Sequence, residues 1–272
     1  MRRRFACLVA IISCLAIFFL SRAHAQASPS EQLQVGPPPT RKIEPPSPDA
    51  TAEDLEKRGD ELRAEKAYPD SLDFFRAALV KKPNSPPIYN KIGIVQLQSY
   101  HLPEARKSFE RALKLDKKYP DALNNLGVVY YSMKKFGKAI KLYTKAIDLR
   151  EDSASYFSNL GSAYFAEKQF ERASLAYTKA LELDPEIFEH TSRTGVTAHL
   201  PSPEDRAHYD FVMAKLYAKM GLIERSLQYL RRAMEDGYKD INLVYKDAEF
   251  AGLRKDPRFG ELMAAKPPAI PN

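Results

Sequence analysis

The sequence predicts an all-α chain built from stacked helix–turn–helix units, and three observations predict it. Gly59, Gly93, Gly127 and Gly161 stand 34 residues apart without an insertion. Around them the same residue types return: Tyr130, Ala139, Tyr143 and Ala146 follow Gly127, and Tyr164, Ala173, Tyr177, Ala180 and Pro185 follow Gly161. Gly93 is followed by Ala105, Phe109 and Ala112, and Gly59 by Phe75, Ala78 and Pro83. The third observation is helical spacing, since Leu123, Leu126, Gly127 and Tyr130 fall on one face of a 3.6-residue period.

A glycine inside a helix costs up to ~1 kcal/mol against alanine, so four in register imply a close approach of backbones. The spacing places Gly127 and Gly161 on the first helix of a unit, facing Ala139 and Ala173 on the second, with the tyrosines filling the space above and below. The pattern resembles the tetratricopeptide repeat, a 34-residue helix–turn–helix unit with small residues at its eighth, twentieth and twenty-seventh positions. The resemblance covers about 52–265 and implies a right-handed superhelical solenoid with a helical cap at its C-terminal end. Four contiguous repeats read as 52–85, 86–119, 120–153 and 154–187. Their helix pairs are expected at 53–65 and 69–82, 88–99 and 103–116, 121–133 and 137–150, and 155–167 and 171–184. Pro69 and Pro103 sit at the start of second helices, where a missing amide hydrogen is harmless. Repeat one departs most, with Arg58, Leu62 and Ser71 at positions that are usually apolar, aromatic and alanine, and this reads as a polar end facing water. Repeat two carries Gln96 where the pattern has tyrosine.

A fifth unit follows out of phase at 207–240, through Met213, Ala214, Tyr217, Gly221, Ser226, Leu230 and Ala233. Between it and repeat four lies an insertion over 188–206, whose Thr194-Gly195, Pro201 and Pro203 predict a surface loop. Residues 241–272 form the cap and tail. The run Leu253-Arg254-Lys255-Asp256-Pro257-Arg258-Phe259 resembles the closing element of bacterial tetratricopeptide proteins.

Residues 1–25 read as a leader outside the fold. Arg2, Arg3 and Arg4 precede the apolar run Ala6–Leu20, and Ala23-His24-Ala25 is a small-x-small cleavage site. The apolar run is shorter than the ~20 residues a spanning helix needs. The expectation is export with cleavage before Gln26, giving a periplasmic or secreted protein. Ile11-Ile12-Ser13-Cys14 offers the alternative of a lipid anchor at Cys14 and an outer-membrane lipoprotein. Both cysteines, Cys7 and Cys14, lie in this leader, so the mature chain supports no disulfide, thiol catalysis or cysteine-bound metal. The leader also holds Arg2, Arg3, Arg4 and Arg22 and no acid, so the formal charge of +7 falls to +3 once it is removed. That balance argues against a nucleic-acid partner. Residues 26–51, with Pro37-Pro38-Pro39, Pro45-Pro46 and Pro48, form a proline-rich disordered spacer.

Catalytic patterns are missing from the sequence. The five histidines make no H-x-x-x-H or H-E-x-x-H pair, and the glycines are scattered singly rather than gathered in a phosphate loop. His199 and His208, with Glu204 and Asp205 between them, read as loop residues. No metal site, cofactor or reaction is expected.

The resemblance implies that the first helix of each repeat lines a concave face. This nominates Asn90, Ile94 and Leu97 in repeat two, Asn124, Asn125, Val128 and Tyr131 in repeat three, and Asn159, Ser162 and Phe165 in repeat four. Asn125 and Asn159 share the sixth position and would stack as a ladder whose amides match the backbone of an extended peptide. Tyr131 and Phe165 would add apolar contact. Relatives that grip C-terminal carboxylates use lysine at position five and asparagine at position nine of the first repeat; here Glu56 and Asp60 stand there, which argues against that ligand. The expected function is a non-catalytic scaffold that binds another protein or an extended peptide in its groove in the cell envelope. A lipid-anchored outer-membrane assembly factor for envelope or pilus biogenesis is the alternative, and an enzyme or carbohydrate-binding module a more distant one. Oligomeric state and the partner's identity are not legible.

Overall fold

Among the described residues ten helices pair off in sequence order, and proline or a capping side chain starts six of them. In the computed structural model the described residues are 43–188, 200 and 202–265. The leader, the spacer up to 42, the insertion over 189–199 with Pro201, and the tail from 266 lie outside them, so those readings are neither supported nor opposed. The first pair is α1 (Ala52–Ala64) and α2 (Tyr68–Lys81), and the second is α3 (Pro86–Gln98) and α4 (Leu102–Leu115). Then come α5 (Pro120–Ser132) with α6 (Phe136–Leu149), and α7 (Ala154–Ala166) with α8 (Phe170–Leu183). The last pair is α9 (Pro203–Lys219) and α10 (Ile223–Glu235). Each helix of the first four pairs begins one or two residues before its predicted start. No strand occurs among the described residues.

The glycine contact differs from the expected one. A Cβ built on Gly59, Gly93, Gly127 or Gly161 would meet not the facing alanine but an aromatic ring of the second helix in the same pair. The rings are Phe75, Phe109, Tyr143 and Tyr177, at 2.5–2.6 Å to the nearest ring atom. Each ring is fully buried and lies on the backbone of the partner helix. The fifth pair shows the same logic with both members changed. Ala214 holds the glycine position and Leu230 the aromatic one, and both are buried.

The turn inside each pair is a second repeating device. Lys66, Tyr100, Lys134 and Lys168 have φ of 63°, 64°, 57° and 57°, and Gly221 has 75°. The residue after each donates its amide to a carbonyl near the end of the first helix, as in Ala67 to Leu62 and Lys135 to Tyr130, at 2.9 and 2.8 Å. That closes the first helix with a Schellman turn. Four of the five positions carry a side chain in a backbone region that favours glycine.

Two sequence readings need correction. Ser71 does not turn repeat one toward water: it is fully buried and its hydroxyl donates to the Gly59 carbonyl at 2.7 Å. Ser226 does the same to Ala214 in the fifth pair, also at 2.7 Å. Leu62 is buried as well, and of the three departures only Arg58 reaches solvent, where it pairs with Glu61 at 2.9 Å. The second correction is the end of the insertion. Residues 203–206, read as loop, are the first turn of α9, because the Ser202 hydroxyl accepts from the Asp205 amide at 3.1 Å and Pro203 fills the first helical position.

The C-terminal cap is three 3₁₀ turns, Ile241–Tyr245, Ala248–Ala251 and Leu253–Lys255, followed by α11 (Pro257–Ala265). Val244, Phe250, Leu253, Phe259 and Leu262 join the core built by α9 and α10. Arg254 ties the turns together by donating to the carbonyls of Val244 and Asp247 at 2.8 and 2.9 Å.

Burial pushes the Asp210 carboxyl on α9 up to about 6, with the charge of Asp236 adding to the rise and Arg232 and Arg206 opposing it. A folded-state value above the unfolded one means that native protein holds the extra proton between roughly pH 4 and 6. The contribution to stability is therefore full below about pH 4 and is lost as pH rises through 6. Asp210→Asn should melt close to the parent at about pH 3.5 and gain on it by about 1–2 kcal/mol at pH 8, allowing for solvent screening. Paired thermal melts across that range measure the gap.

Candidate functional site

The first helices carry a cleft of about 520 Å3 on the face they share. Ile94, Leu97 and Val128 supply its apolar surface, Asn90, Asn124 and Asn125 its polar one, and Arg63, Asp121 and Arg150 its charges. Apart from Arg150 and Ser153, which lie between α6 and α7, every lining residue belongs to α1, α3, α5 or α7. Six of the ten nominated residues therefore meet at one site: Asn90, Ile94, Leu97, Asn124, Asn125 and Val128.

The other four do not line it. Tyr131 is buried and packs edge-on to Phe136 at 5.2 Å. Phe165 is buried at the junction with the fifth pair, edge-on to Phe170 at 5.0 Å and to His208 at 5.8 Å. Ser162 accepts from the Tyr177 hydroxyl at 3.3 Å, within the repeat core. Asn159 is fully buried and donates to Asn124 Oδ1 at 2.9 Å. These side chains fill contacts between helices and leave no surface for a ligand.

The expected ladder of Asn125 on Asn159 is not formed. The bonds run diagonally, from position six of one repeat to position five of the repeat before. Asn159 donates to Asn124, and Asn125 donates to Asn90 at 3.0 Å, while Asn124 donates to its neighbour Asn125 at 3.2 Å. Lys91 extends the rule toward the N-terminal end, reaching Glu56 at 3.0 Å and Asp60 at 2.7 Å. Partial burial lowers the Lys91 pKa, but the two carboxylates outweigh it and the net shift is upward. The seam thus consumes much of the amide capacity assigned to a ligand.

Sequence reasoning missed Arg63, Arg150, Ser153 and Tyr156. Arg150 grips Asp121 with two parallel bonds, at 2.8 and 3.1 Å, and the Tyr156 hydroxyl donates to the same carboxylate. Burial and that carboxylate push the Tyr156 hydroxyl well up, so it stays a donor. The cluster closes one end of the cleft with a charge-compensated wall. Its signal, an acid at the start of a repeat and an arginine near its end, has no short-range pattern. Gln98 adds a different feature, because its Oε1 is buried in the cleft lining and has no hydrogen-bond partner among the described residues. Among the described residues no three His, Cys, Asp or Glu side chains gather where they could hold a metal. His208 instead stacks at 3.9 Å from Phe170, and burial lowers its pKa.

Sequence profiles of the tetratricopeptide repeat match residues 119–186, and a second profile of the TPR repeat matches 101–134. The helix pairs between 101 and 186 are tetratricopeptide repeats. Among solved structures, Pseudomonas aeruginosa PilF superposes with a TM-score of 0.53 at 18% identity, covering 79% of this chain and 97% of that one. TTC0263, a thermophilic TPR protein of Thermus thermophilus, gives 0.49 at 18% identity, covering 79% of this chain and all of that one. At such identities the likeness concerns the fold. No protein of curated function matches the chain in sequence.

The TPR seam yields a stability prediction. Asn124 is 3% exposed and sits between two asparagines, so Asn124→Leu should remove the acceptor that the buried Asn159 amide uses and cost about 1–3 kcal/mol. Ser155→Ala, at the same cleft but outside the seam, should change stability by less than about 0.5 kcal/mol. Denaturant unfolding of both variants against the parent checks the contrast.

Proposed function

We propose that this chain is a non-catalytic interaction scaffold and that the cleft on its first helices receives an extended segment of another protein. One observation carries the reading: apolar Ile94, Leu97 and Val128 share a cleft with the unsatisfied Gln98 Oε1 and with charged Arg63 and Arg150. A partner side chain would bury against the apolar residues, and a turn of the half-buried Gln98 amide would present its Oε1 to a partner N–H. A buried acceptor without a donor costs ~1–3 kcal/mol, so filling it favours binding. The cleft spans first helices of successive repeats, which suits an extended chain more than a compact ligand. Most of the seam asparagines hold the repeats together, and Asn125, half-buried at the cleft, is the one placed to meet the partner.

We place the scaffold in the cell envelope on the strength of the leader alone, with cleavage before Gln26; a lipid anchor at Cys14 is the variant of that reading. Intact mass of the protein from an exporting host distinguishes them. Mature protein should start at Gln26, whereas an acylated species starting at Cys14 would select the anchor and a Met1 start would reject both.

Binding is tested with extended peptides selected from a displayed random library on the parent protein. Ile94→Glu with Leu97→Glu should weaken selected peptides at least about tenfold, since burying charge in an apolar contact is costly. Lys141→Ala with Lys145→Ala, on the second helix of the same region, should leave affinity within about twofold. Equal binding by the parent and the Ile94/Leu97 variant, both folded, would reject the cleft.

A further inference from the structure

The basic charge of this chain is concentrated between 101 and 150, and the larger part of it lies on second helices that the cleft does not use. Between 101 and 150 there are 12 Lys and Arg against five Asp and Glu, a net +7 that equals the charge of the whole chain. The second helices of repeats two and three carry most of it. On α6 the buried face is Ala139, Tyr143 and Ala146, and Lys138, Lys141 and Lys145 form a stripe on the far side at helical spacing. Lys107 on α4 holds the position equivalent to Lys141, and Lys114 lies two turns further along the same stripe. The two helices run over one core, because Leu113 of α4 and Leu142 of α6 both pack against the cluster of Leu123, Ala146 and Tyr156. Lys107, Lys114, Lys141 and Lys145 are exposed and make no ion pair among the described residues, and Lys138 lies over the Tyr130 ring, at 5.4 Å.

Two exposed apolar residues flank the lysines on equivalent positions of the neighbouring second helices. Leu175 on α8 stands where Lys107 and Lys141 stand, 72% exposed, and Val80 on α2 stands where Lys114 stands, 79% exposed. We propose that this convex lysine surface docks on an anionic lipid bilayer, with the lysines at the headgroups and Leu175 and Val80 at the rim of the contact. Charge complementarity selects an anionic surface. The side-chain chemistry selects lipid over an acidic protein: lysines are point charges without the forked geometry that grips individual carboxylates. They lie on the solvent side of the second helices, outside the clefts found among the described residues, and apolar residues border them as at a membrane interface.

The test is sedimentation of the full chain with vesicles of phosphatidylcholine containing about a third phosphatidylglycerol, against vesicles of phosphatidylcholine alone. The patch variant is Lys107→Gln, Lys138→Gln, Lys141→Gln and Lys145→Gln. A control of equal charge change, Lys57→Gln, Lys66→Gln, Lys219→Gln and Lys255→Gln, removes exposed lysines elsewhere. All three proteins carry the same leader, so its contribution cancels. Each lysine near an anionic surface contributes roughly fivefold to partitioning, so the patch variant should bind anionic vesicles at least about thirtyfold more weakly. The control should stay within about threefold of the parent, and no protein should show patch-dependent binding to neutral vesicles. Overlaid thermal melts confirm folding. Equal binding by parent and patch variant, equal loss in patch variant and control, or no binding by the parent would each overturn the proposal. Patch-dependent binding to polyglutamate without binding to vesicles would overturn it in favour of an acidic protein.

Discussion

The contact between a helix backbone and an aromatic ring packed against it sets the geometry of every repeat from one to four. At Gly59, Gly93, Gly127 and Gly161 the ring of the partner helix occupies the space a Cβ would need, so the two helices approach only while the position stays glycine. That fixed approach brings the helix ends close enough for a short turn, which holds a left-handed residue at Lys66, Tyr100, Lys134 and Lys168. The fifth repeat exchanges both partners at once, alanine for glycine and leucine for the ring, so the side-chain volume at the crossing is roughly kept. The helix pairs then pack on their neighbours: contacts concentrate within a pair and between consecutive pairs, as a solenoid requires.

Polar side chains do the joining between repeats along the first helices. The diagonal bonds Glu56–Lys91, Asn90–Asn125 and Asn124–Asn159 link repeats one to four by one rule, with ions at the exposed end and amides where burial is deeper. Amides suit the buried part because an unpaired ion there would carry a far larger desolvation cost. The seam also shapes the cleft beside it. What remains for a partner is the apolar strip of Ile94, Leu97 and Val128, the acceptor of Gln98 and the charged ends at Arg63 and Arg150. The faces of the first and second helices thus differ in chemistry, one mixed and recessed, the other cationic and open.

The repeat itself was legible because it is periodic: glycine, alanine and aromatic positions return once in every unit, and Pro69 and Pro103 mark helix starts. What escaped is whatever depends on a partner in three dimensions. The glycine signalled close packing, but only the structure shows that it meets the ring of the second helix rather than the alanine. Asn125 and Asn159 sit in register in the sequence, yet helices of successive repeats are offset, so each bonds one position away from its equivalent. Tyr131 and Phe165 carry the periodicity of groove residues and the volume of core residues, and volume decides their place. Ser71 and Ser226 look polar in the sequence and satisfy a backbone carbonyl in the core. Pro203 reads as a loop residue in the sequence, yet after the Ser202 cap it fills the first turn of α9, where a missing amide hydrogen is harmless.

The most direct test of the ring-on-glycine contact is a double-mutant cycle between Gly127→Ala and Tyr143→Ala, with Gly127→Ala and Tyr177→Ala as the second cycle, each read by denaturant unfolding. If the ring on the glycine sets the crossing, the added methyl destabilises only while its own ring is present. The first cycle should then show coupling of about 1–3 kcal/mol and the second less than about 0.5 kcal/mol. Additive effects in the first cycle, or equal coupling in both, would contradict it.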